Sequence, residues 1–544
     1  MSDYINQSNY IGRVIGGSIN RGIDIRLDSN TNVEELAVGR FVVIDGITHK
    51  FFAQITDITL HASNQSLIDL PPDFSNQIVS SVVSKIGVFS VIEVVPYLTL
   101  DGALATSEGV KPAKTVPPHF ARTYLASEED YQTVFGGNDN DHFWLGSPLD
   151  LETNIHLNLD RFVERSNGIF GKSGTGKTFL TRLILAGIVQ KQKAVNLVFD
   201  MQSEYGWAGY NETGSGSVKG LKQLFSSNVA LFSMDEEHSK RRNVTPDYLV
   251  KVGYNQIEPE DIVMLRDTLN LSDVAADASY TLALHYGQDR WFKTFTSLDG
   301  SQLRELAQTI GVNDRALSTL RTRLMRLERF HFLTDQESDH AVDSILQHID
   351  KGIHVVLEFG RYQHEFAAYI LVANLITRRI HQRYSRRKEE AMVDESAEPK
   401  QLVITIEEAH RFLTPGISSQ TIFGTIAREM RKYNVTLLIV DQRPSGIDDE
   451  IMSQLGTKLS CLLDNDNDVS AVMSGVSGSN KLRTVISKLD SKQQALIFGH
   501  AMPMPIAVKI RNYDEEAYRS LGLIERNGSD YELDRDAKDL FGSH

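Results

Sequence analysis

The chain has 544 residues, 41% hydrophobic and 23% charged, and 56 basic against 71 acidic side chains leave a net charge of −15. The length predicts several domains, and the composition excludes disordered, collagen-like and coiled-coil proteins. The charge excludes a histone-like coat for nucleic acid but permits a local positive groove. One cysteine, Cys461, excludes an internal disulfide framework. Because no signal-like start or membrane-length apolar run is recognised, a cytoplasmic enzyme with no membrane attachment is expected.

The N-terminal part, residues 1–110, is predicted to form a small β-barrel or sandwich. Its short β-branched runs are broken by glycines, and Asp45-Gly46 separates two apolar runs as in a tight hairpin. The next segment, 111–144, is rich in proline and turn-forming residues, so it is predicted to be a linker.

From residue 145 onward, apolar strands alternate with amphipathic helices, which predicts an α/β domain. Its first part is assigned to residues 145–234 and its second part to 351–512. Between them, 235–350 is helical and charged and is predicted to be an insertion. The tail, 513–544, is acidic and is predicted to contain a short helix.

A phosphate-binding loop is the strongest motif of the chain. Residues 171–178 read GKSGTGKT and match GxxxxGK[ST] at every fixed position, between a short apolar run and a helical pattern. Backbone N–H groups and the helix N-terminus attract phosphate, the lysine reaches the β- and γ-phosphates, and the threonine hydroxyl ligates Mg²⁺. The alternative, a glycine-rich turn with a chance lysine, is disfavoured by the flanking elements. The predicted nucleotide-binding residues are Gly171, Ser173, Gly174, Thr175, Gly176, Lys177 and Thr178.

A second buried run, 195–199, ends in Asp200, and Glu204 follows four residues later. Residues just past the carboxyl end of a parallel strand face the ligand crevice. Asp200 and Glu204 are therefore candidates for contact with a water molecule, a metal ion or a neighbouring subunit. A turn with a capping aspartate is an equal alternative for this pattern.

A third apolar run, 402–406, ends in two acids, Glu407 and Glu408. This is the Walker B arrangement, in which the first carboxylate holds the magnesium shell and the second orients or deprotonates the attacking water. Glu407 is assigned the first role and Glu408 the second. The usual first acid is aspartate, so Glu407 is a departure, and the alternative is a solvated acidic turn.

Three further polar residues follow. Arg428 and Arg431 lie three residues apart, which places them on one helical face, where an arginine can reach into a neighbouring subunit's site. A basic solvated helix is the alternative. Gln442 follows another buried strand, and its amide, which both donates and accepts hydrogen bonds, suits a γ-phosphate sensor.

Taken in order, these motifs resemble the HerA branch of the HerA–FtsK superfamily of ATPases. The motifs are the phosphate loop, DMQSEY (200–205), EEAHRF (407–412), AREMRK (427–432) and DQRPS (441–445). The resemblance implies a RecA-like P-loop core, ATP and Mg²⁺ as cofactors, and a hexameric ring that moves double-stranded DNA through its pore. It also implies that Glu408 is catalytic, Gln442 a sensor, and Arg431, ahead of Arg428, the trans-acting finger. Gln202 stands where the family often has histidine.

By the same resemblance, the N-terminal barrel corresponds to the HAS domain, which docks a partner protein. That partner is expected to be a NurA-like nuclease in DNA end processing or another effector in antiviral defence. In an alternative of a different class, the ring is a nucleotide-regulated scaffold that assembles and activates the effector, and translocation is secondary. A conjugation or secretion ATPase is a third alternative, disfavoured because no membrane anchor is recognised.

DNA-contacting residues are harder to assign. A six-fold ring multiplies each basic side chain, so few are needed per chain to hold phosphates. The loop 411–420 and the basic stretch 378–388 are candidates, although a solvated charged face is favoured for the second. No zinc finger or similar module that reads bases is recognised, so sequence-independent binding is expected.

Overall fold

The computed structural model describes residues 9–64, 87–101, 110–137, 139–149, 152–210, 217–335, 341–415, 422–476, 479–490 and 492–523. These residues divide between two compact units. The first unit runs to Leu157 and includes Gly478–Leu489 and Gln494–Ile510; the second comprises Asn158–Ser477, Asp490–Gln493 and the residues from Arg511. In the described ranges, every helix is too short or too polar to cross a bilayer.

The N-terminal part of the first unit is a closed barrel. Its strands are β1 (Tyr10–Ser18), β2 (Gly22–Leu27), β3 (Phe41–Asp45), β4 (His49–Ala62), β5 (Val88–Asp101), β6 (Val110–Pro112) and β7 (Arg122–Leu125). They are ordered β2-β1-β7-β3-β4-β5, β5 pairs back to β2 to close six strands, and β6 extends the sheet from β5. The predicted hairpin is present, since β3 and β4 pair antiparallel with Asp45 opposite Lys50.

Strand β3 is apolar at consecutive positions because both of its faces are covered. Val42 and Ile44 belong to the apolar core cluster of the barrel. On the other face, Phe41 stacks on Phe52 with ring centroids 5.1 Å apart. Helix α1 (Glu128–Phe135) covers these rings with its own aromatic side chains. Burial on both faces explains why β3 lacks the alternation of a half-exposed strand.

The segment 111–144, predicted to be a linker, holds β7 and α1 instead. Strand β7 lies between β1 and β3, so the barrel does not close without it. A four-residue strand and an eight-residue helix beside proline and glycine carry too little periodicity for pattern analysis to detect.

A parallel sheet forms the centre of the second unit. Strand β8 (His142–Pro148) and nearly all of β9 (Ile155–Asn158) still belong to the first unit. The strands of the second unit therefore begin with β10. The strands that follow are β10 (Asn167–Phe170), β11 (Val195–Asp200), β12 (Gly209–Tyr210), β13 (Ser217–Val218), β14 (Val229–Ser233), β15 (Tyr248–Leu249), β16 (Val252–Gly253), β17 (Leu333–Thr334), β18 (His354–Glu358), β19 (Leu402–Glu407), β20 (Val435–Asp441) and β21 (Thr457–Ser460). The sheet has the order β15-β14-β18-β11-β19-β20-β10-β21, and β12–β13 and β16–β17 are separate pairs.

The register of this sheet brings the predicted site residues to one edge. All its neighbouring strands are parallel, and Asp200 lies opposite Glu358 while Glu407 lies opposite Val440. Strand β10 ends at Phe170, opposite Asp441 of β20. The acids that end β11, β19 and β20 therefore lie at the same edge as the loop after β10, as expected for a site at the carboxyl ends of strands.

Helices surround this sheet. They are α2 (Leu159–Val163), α3 (Lys177–Lys191), α4 (Leu221–Phe225), α5 (Glu236–Arg241), α6 (Pro259–Met264), α7 (Arg266–Leu269), α8 (Asp273–Tyr286), α9 (Trp291–Ser297), α10 (Gly300–Ile310), α11 (Asp314–Leu324), α12 (Ala341–Lys351), α13 (Phe366–Ala391), α14 (Ile422–Glu429), α15 (Asp449–Gln454) and α16 (Asp466–Val472). Helices α5 to α12 lie in or at the edge of residues 235–350, the segment predicted to be a helical insertion.

The remaining described elements complete the two units. Helix α17 (Ser479–Ser487) and strands β22 (Gln494–Gly499) and β23 (Ile506–Ile510) belong mainly to the first unit, in which the strand order is β22-β23-β8-β9. Helix α18 (Glu515–Ser520) belongs to the second unit, and the tail beyond residue 523 lies outside the described residues. The predicted fold class, an α/β P-loop core with an N-terminal β-barrel and a helical insertion, is confirmed.

Candidate functional site

The phosphate loop connects β10 to α3, and its glycines are required by geometry. Gly174 and Gly176 have φ of +80° and +95°, a left-handed conformation that costs other residues energy. A Cβ atom built at Gly171 would lie 2.7 Å from the Cβ of Cys461 on the chain that follows β21. Side chains at these positions would strain or fill the loop, so its backbone stays open to a ligand.

Lys177 and Thr175 hold the phosphate loop together. The Nζ atom of Lys177 and the hydroxyl of Thr175 both donate to the carbonyl of Lys172, at 2.9 and 2.7 Å. Burial lowers the pKa of Lys177, and neighbouring acidic groups oppose that shift. The side chain of Lys172 points elsewhere and forms an exposed ion pair with Asp464 at 2.5 Å. A phosphate group would offer Lys177 a charged acceptor in place of a carbonyl oxygen.

A cavity of about 570 Å³ opens in front of the loop, within the usual size range of ligand pockets. It brings together most residues that the sequence predicts for the site: Ser173, Gly174, Gly176, Lys177, Thr178, Glu204, Glu407, Glu408 and Gln442. Five predicted residues do not line it: Gly171, Thr175, Asp200, Arg428 and Arg431. The first two support the loop from behind.

Glu408 adopts a constrained conformation at the cavity wall. Its backbone φ is +51°, which is unfavourable for a residue with a side chain and is common at functional sites. The amide of Gln442, just past the next strand, donates to Glu408 Oε1 at 2.9 Å. The carboxylate of Glu408 therefore follows strand β19, and Gln442, which follows the neighbouring strand β20, orients it.

Glu407 is half-buried, and only one of its two carboxylate oxygens has a hydrogen-bond partner among the described residues. The hydroxyl of Tyr205 donates to Glu407 Oε1 at 2.8 Å, whereas Oε2 is buried and finds no hydrogen-bond partner in the part of the chain that is described. Burial, followed by the charge of Asp200, raises the pKa of Glu407 to about 8. Glu407 lines the cavity, and a carboxylate with an unpartnered oxygen is suited to a cation.

Asp200 caps a turn. Its carboxylate accepts from the backbone N–H groups of Glu204, Tyr205 and Gly206 at 2.8, 2.8 and 3.1 Å, and the residue is fully buried. The carboxylate is thus engaged by its own loop, which favours the capping alternative over a direct contact with ligand. The same turn carries Glu204 into the cavity wall and directs Tyr205 toward Glu407.

We expect Glu407→Gln to stabilise the protein in the absence of nucleotide. The folded carboxyl keeps its proton up to about pH 8, while the unfolded one loses it above about 4.5. Wild-type stability attributable to this group therefore falls as the pH rises between these values, by about 3 kcal/mol at pH 7. Thermal unfolding midpoints of both proteins at pH 5 and pH 8 measure this, and the advantage of the variant should be larger at pH 8. An advantage that is equal at both pH values would contradict it.

Arg182 is a site residue that the sequence analysis did not identify. It lies on α3, is 2% exposed, and donates through Nε to the carbonyl of Glu204 at 2.9 Å. Its guanidinium lies 5.1 Å from the centroid of Phe179 and lines the cavity. It ties the phosphate-loop helix to the loop after β11. The detectable signal was a charged residue within the apolar pattern of α3.

The two arginines proposed as trans-acting do not share a regular helix. Helix α14 ends at Glu429, so Arg428 lies in its last turn and Arg431 in the 3₁₀ turn that follows. Nη1 of Arg428 lies 3.8 Å from Glu450, and Arg431 is exposed. Their assumed common α-helical face is therefore wrong, because the helix ends between them.

The two segments predicted to face DNA differ in the structure. Five basic side chains of the stretch 378–388 form ion pairs with acids of the same chain: Arg378 with Asp261, Arg383 and Arg387 with Asp350, Arg386 with Glu390, and Lys388 with Glu398. Much of their charge is thus already neutralised, which weakens this stretch as a DNA contact. The loop 411–420 lies partly outside the described residues.

The side chains present fit a nucleotide and Mg²⁺. Glycine leaves space around the loop where a Cβ would intrude, and Lys177 supplies positive charge. Thr178 and the free oxygen of Glu407 provide the hard oxygen donors that Mg²⁺ takes. Over the described ranges, no cluster of three or more His, Cys, Asp or Glu side chains forms a metal cage.

Comparison with known proteins places this geometry in context. Residues 143–380 match the family model for the central domain of helicase HerA. The DNA double-strand break repair helicase HerA of Pyrococcus furiosus is 25% identical over 418 residues, 72% of this chain and 73% of that protein. The protein of the same name from Sulfolobus acidocaldarius is 23% identical over 491 residues, 88% of this chain and 90% of its own length.

Among solved structures, VirB4 of Thermoanaerobacter pseudethanolicus covers 70% of this chain and 99% of its own, with 13% identity and a TM-score of 0.44. The family match and the sequence relatives confirm the predicted resemblance to HerA-type ATPases. They also confirm the prediction of an enzyme of the P-loop ATPase class.

Proposed function

We propose, from the premise that this chain is a relative of the HerA helicases, that it is an ATP-driven translocase of double-stranded DNA that works as a hexameric ring. The observation that carries the proposal is the pair of Glu408 and Gln442, which faces the same cavity as Lys177 of the phosphate loop. A binding module needs the phosphate loop alone, whereas hydrolysis needs an oriented carboxylate beside it.

In this proposal, the backbone N–H groups of the loop and Lys177 bind the phosphates of ATP. Thr178 and Glu407 would hold Mg²⁺, which when bound neutralises charge on the β- and γ-phosphates. Glu408 orients the attacking water and takes its proton, and the hydrogen bond from Gln442 keeps that carboxylate in place. Loss of the γ-phosphate would thereby be transmitted from Glu408 to the end of strand β20 through the hydrogen bond between Glu408 and Gln442.

In the proposed ring, the arginine that stabilises phosphoryl-transfer charge belongs to an adjacent copy. Arg182 and Arg242 line the cavity of their own chain, but they are engaged by the carbonyl of Glu204 and by Glu358. Arg428 and Arg431 lie outside that cavity, so either could reach the site of a neighbour. Arg431 is the stronger candidate because its side chain is exposed. Hydrolysis at such a boundary couples neighbouring copies, which is what movement along DNA requires.

We propose further that the N-terminal barrel docks a separate effector, such as a NurA-like nuclease or a defence effector. Every described residue that lines the nucleotide cavity lies in the second unit, so the surface of the barrel is available for another task. The pathway then depends on the effector, in DNA end processing or in antiviral defence.

Duplex DNA should raise the steady-state ATPase rate of the purified chain. The expected oligomer has six chains of 61.0 kDa each. Phosphate release measured with a linear 60-base-pair duplex, with single strands of the same length and with no DNA tests the activity, and mass photometry tests the ring. In our proposal the duplex is the strongest activator, because a pore sized for duplex holds it through both backbones.

An ATPase rate that duplex DNA leaves unchanged, in a protein shown to be hexameric, would contradict translocation. It would favour the scaffold alternative, in which nucleotide regulates assembly of the effector complex. Single chains at micromolar concentration, in the presence of ATP and Mg²⁺, would contradict the ring itself.

A further inference from the structure

Two helices of the insertion are joined by a very short turn. Helix α10 ends at Ile310, and the residues 311–313 lead directly into α11. Gly311 has φ of +69°, which lets the chain reverse at once. Asn313 then caps α11 by accepting a hydrogen bond from the N–H of Arg315 at 2.9 Å. A three-residue turn containing glycine is typical of the helix-turn-helix motif.

The packing of these helices completes a compact helical unit. The side chains that bury one face of each helix are Leu303, Leu306 and Ala307 of α10 and Leu317, Leu320 and Leu324 of α11. Helices α8 and α9 also contact α11. Because the apolar residues of α11 point into this small core, the opposite face of the helix is turned to solvent.

The solvent face of α11 is basic and hydroxyl-rich. Four exposed residues lie at helical spacing along this stripe, Arg315, Ser318, Thr319 and Thr322, and the exposed Arg326 follows two residues after the helix ends. Neither arginine forms an ion pair with any residue in the described ranges. The acid next to Arg315, Asp314, occupies the first helical position, where it interacts with the helix dipole.

The charge of this segment is opposite to that of the whole chain. Residues 300–330 contain six arginines against three acids, in a protein whose net charge is −15. Local positive charge on an exposed helix is the electrostatic feature expected for binding phosphate backbones. Arginine, serine and threonine are also side chains that hydrogen-bond base edges in the major groove.

We infer that α10 and α11 form a helix-turn-helix module that binds double-stranded DNA, with α11 lying in the major groove. The N-terminal part of α11, with Arg315, faces base edges, and α10 crosses the phosphate backbone. This site shares no residue with the nucleotide cavity. It is an alternative to the sequence-independent binding expected from the sequence, and it gives the protein a DNA contact that does not depend on ATP.

Equilibrium binding of the full-length protein without nucleotide tests the inference. The probe is a fluorescein-labelled 30-base-pair duplex, with fluorescence anisotropy measured over a series of salt concentrations. The double variant Arg315→Ala/Arg326→Ala should bind about tenfold more weakly at 0.1 M salt, and the slope of log K against log salt should become shallower by about two. Its ATPase rate without DNA should not change.

The matched control removes two exposed arginines elsewhere, in Arg21→Ala/Arg161→Ala, and should bind the duplex as the wild type does. A second variant, Thr319→Glu, keeps both arginines and places a negative charge on the same stripe, so it should also weaken binding. Circular dichroism checks that each variant remains folded.

A duplex RNA of the same sequence separates groove insertion from simple charge attraction. The major groove of A-form RNA is too narrow and deep for a helix, so the arginine variant should lose affinity for DNA only. A change in DNA affinity below threefold, an equal loss in the control pair, or an equal loss on duplex RNA would overturn the inference. Because binding is measured without nucleotide, failure of the ATPase proposal would leave this result unaffected.

Discussion

Replacing Glu408 with glutamine should lower kcat for ATP hydrolysis by about 10²–10⁴-fold, the usual contribution of a general base. The side chain keeps its size and its hydrogen bond with Gln442, whose amide donates to Oε1 at 2.9 Å. Only the capacity to take a proton from water is removed. Nucleotide affinity should therefore stay within a few-fold of the wild type, because the phosphate loop is untouched.

This prediction is measured by phosphate release for the rate and by a fluorescent ATP analogue for the affinity. The control is Glu389→Gln, the same chemical change at an exposed position on α13. Near-normal hydrolysis by Glu408→Gln would assign the base elsewhere. A lower hydrolysis rate accompanied by a loss of affinity for the fluorescent analogue would mean that the substitution had damaged the cavity.

Lys177→Ala should weaken nucleotide binding and slow turnover. The ammonium group is half-buried in the cavity and donates a hydrogen bond to the carbonyl of Lys172. In the complex it would meet phosphate charge, where a charge-assisted hydrogen bond contributes about 1.5–3 kcal/mol to binding, or roughly 10- to 100-fold in Kd. Losing a donor that also stabilises transition-state charge should lower kcat by a further 10²–10³-fold, as an order of magnitude.

Lys172→Ala provides the control within the same loop. Its side chain is exposed and paired with Asp464, while its backbone carbonyl, which the substitution retains, is the group that Lys177 and Thr175 use. The two variants remove the same charge at positions five residues apart. Comparing them therefore distinguishes the effect of the position of the ammonium group from the effect of the net charge of the loop. Equal losses in both would indicate that overall loop charge, not the ammonium of Lys177, binds the phosphates.

Some elements of the barrel and of the site could be predicted from the sequence, and others could not. The Asp-Gly hairpin of β3 and β4 and the phosphate loop follow from local patterns, since a turn and a glycine-rich loop depend on residues close in the chain. Strand β7 and helix α1 were missed because they are short and are stabilised by contacts with residues distant in sequence. Strand β7 pairs with β1 and β3, and α1 packs against the ring of Phe41. The individual helices α10 and α11 fall within the segment predicted to be helical, but the three-residue turn between them was not predicted.

The roles of some acidic residues could likewise be predicted from the sequence, whereas those of others required the structure. Two acids after an apolar strand identified Glu407 and Glu408, and Gln442 was singled out by its place after the next strand. That Asp200 caps its own loop, and that Tyr205 donates to Glu407, required the positions of backbone N–H groups and of side chains 202 residues apart.

By itself, the sequence determined the phosphate loop, the order of the catalytic motifs, the resemblance to HerA-type ATPases and the α/β class, because each depends on residue types at short, fixed spacings. Only the tertiary structure decided which side chains share the cavity, that the basic stretch on α13 is neutralised by acids of the same chain, and that Arg182 joins the site. These depend on strand register and on burial, which arise from contacts between residues far apart in the chain.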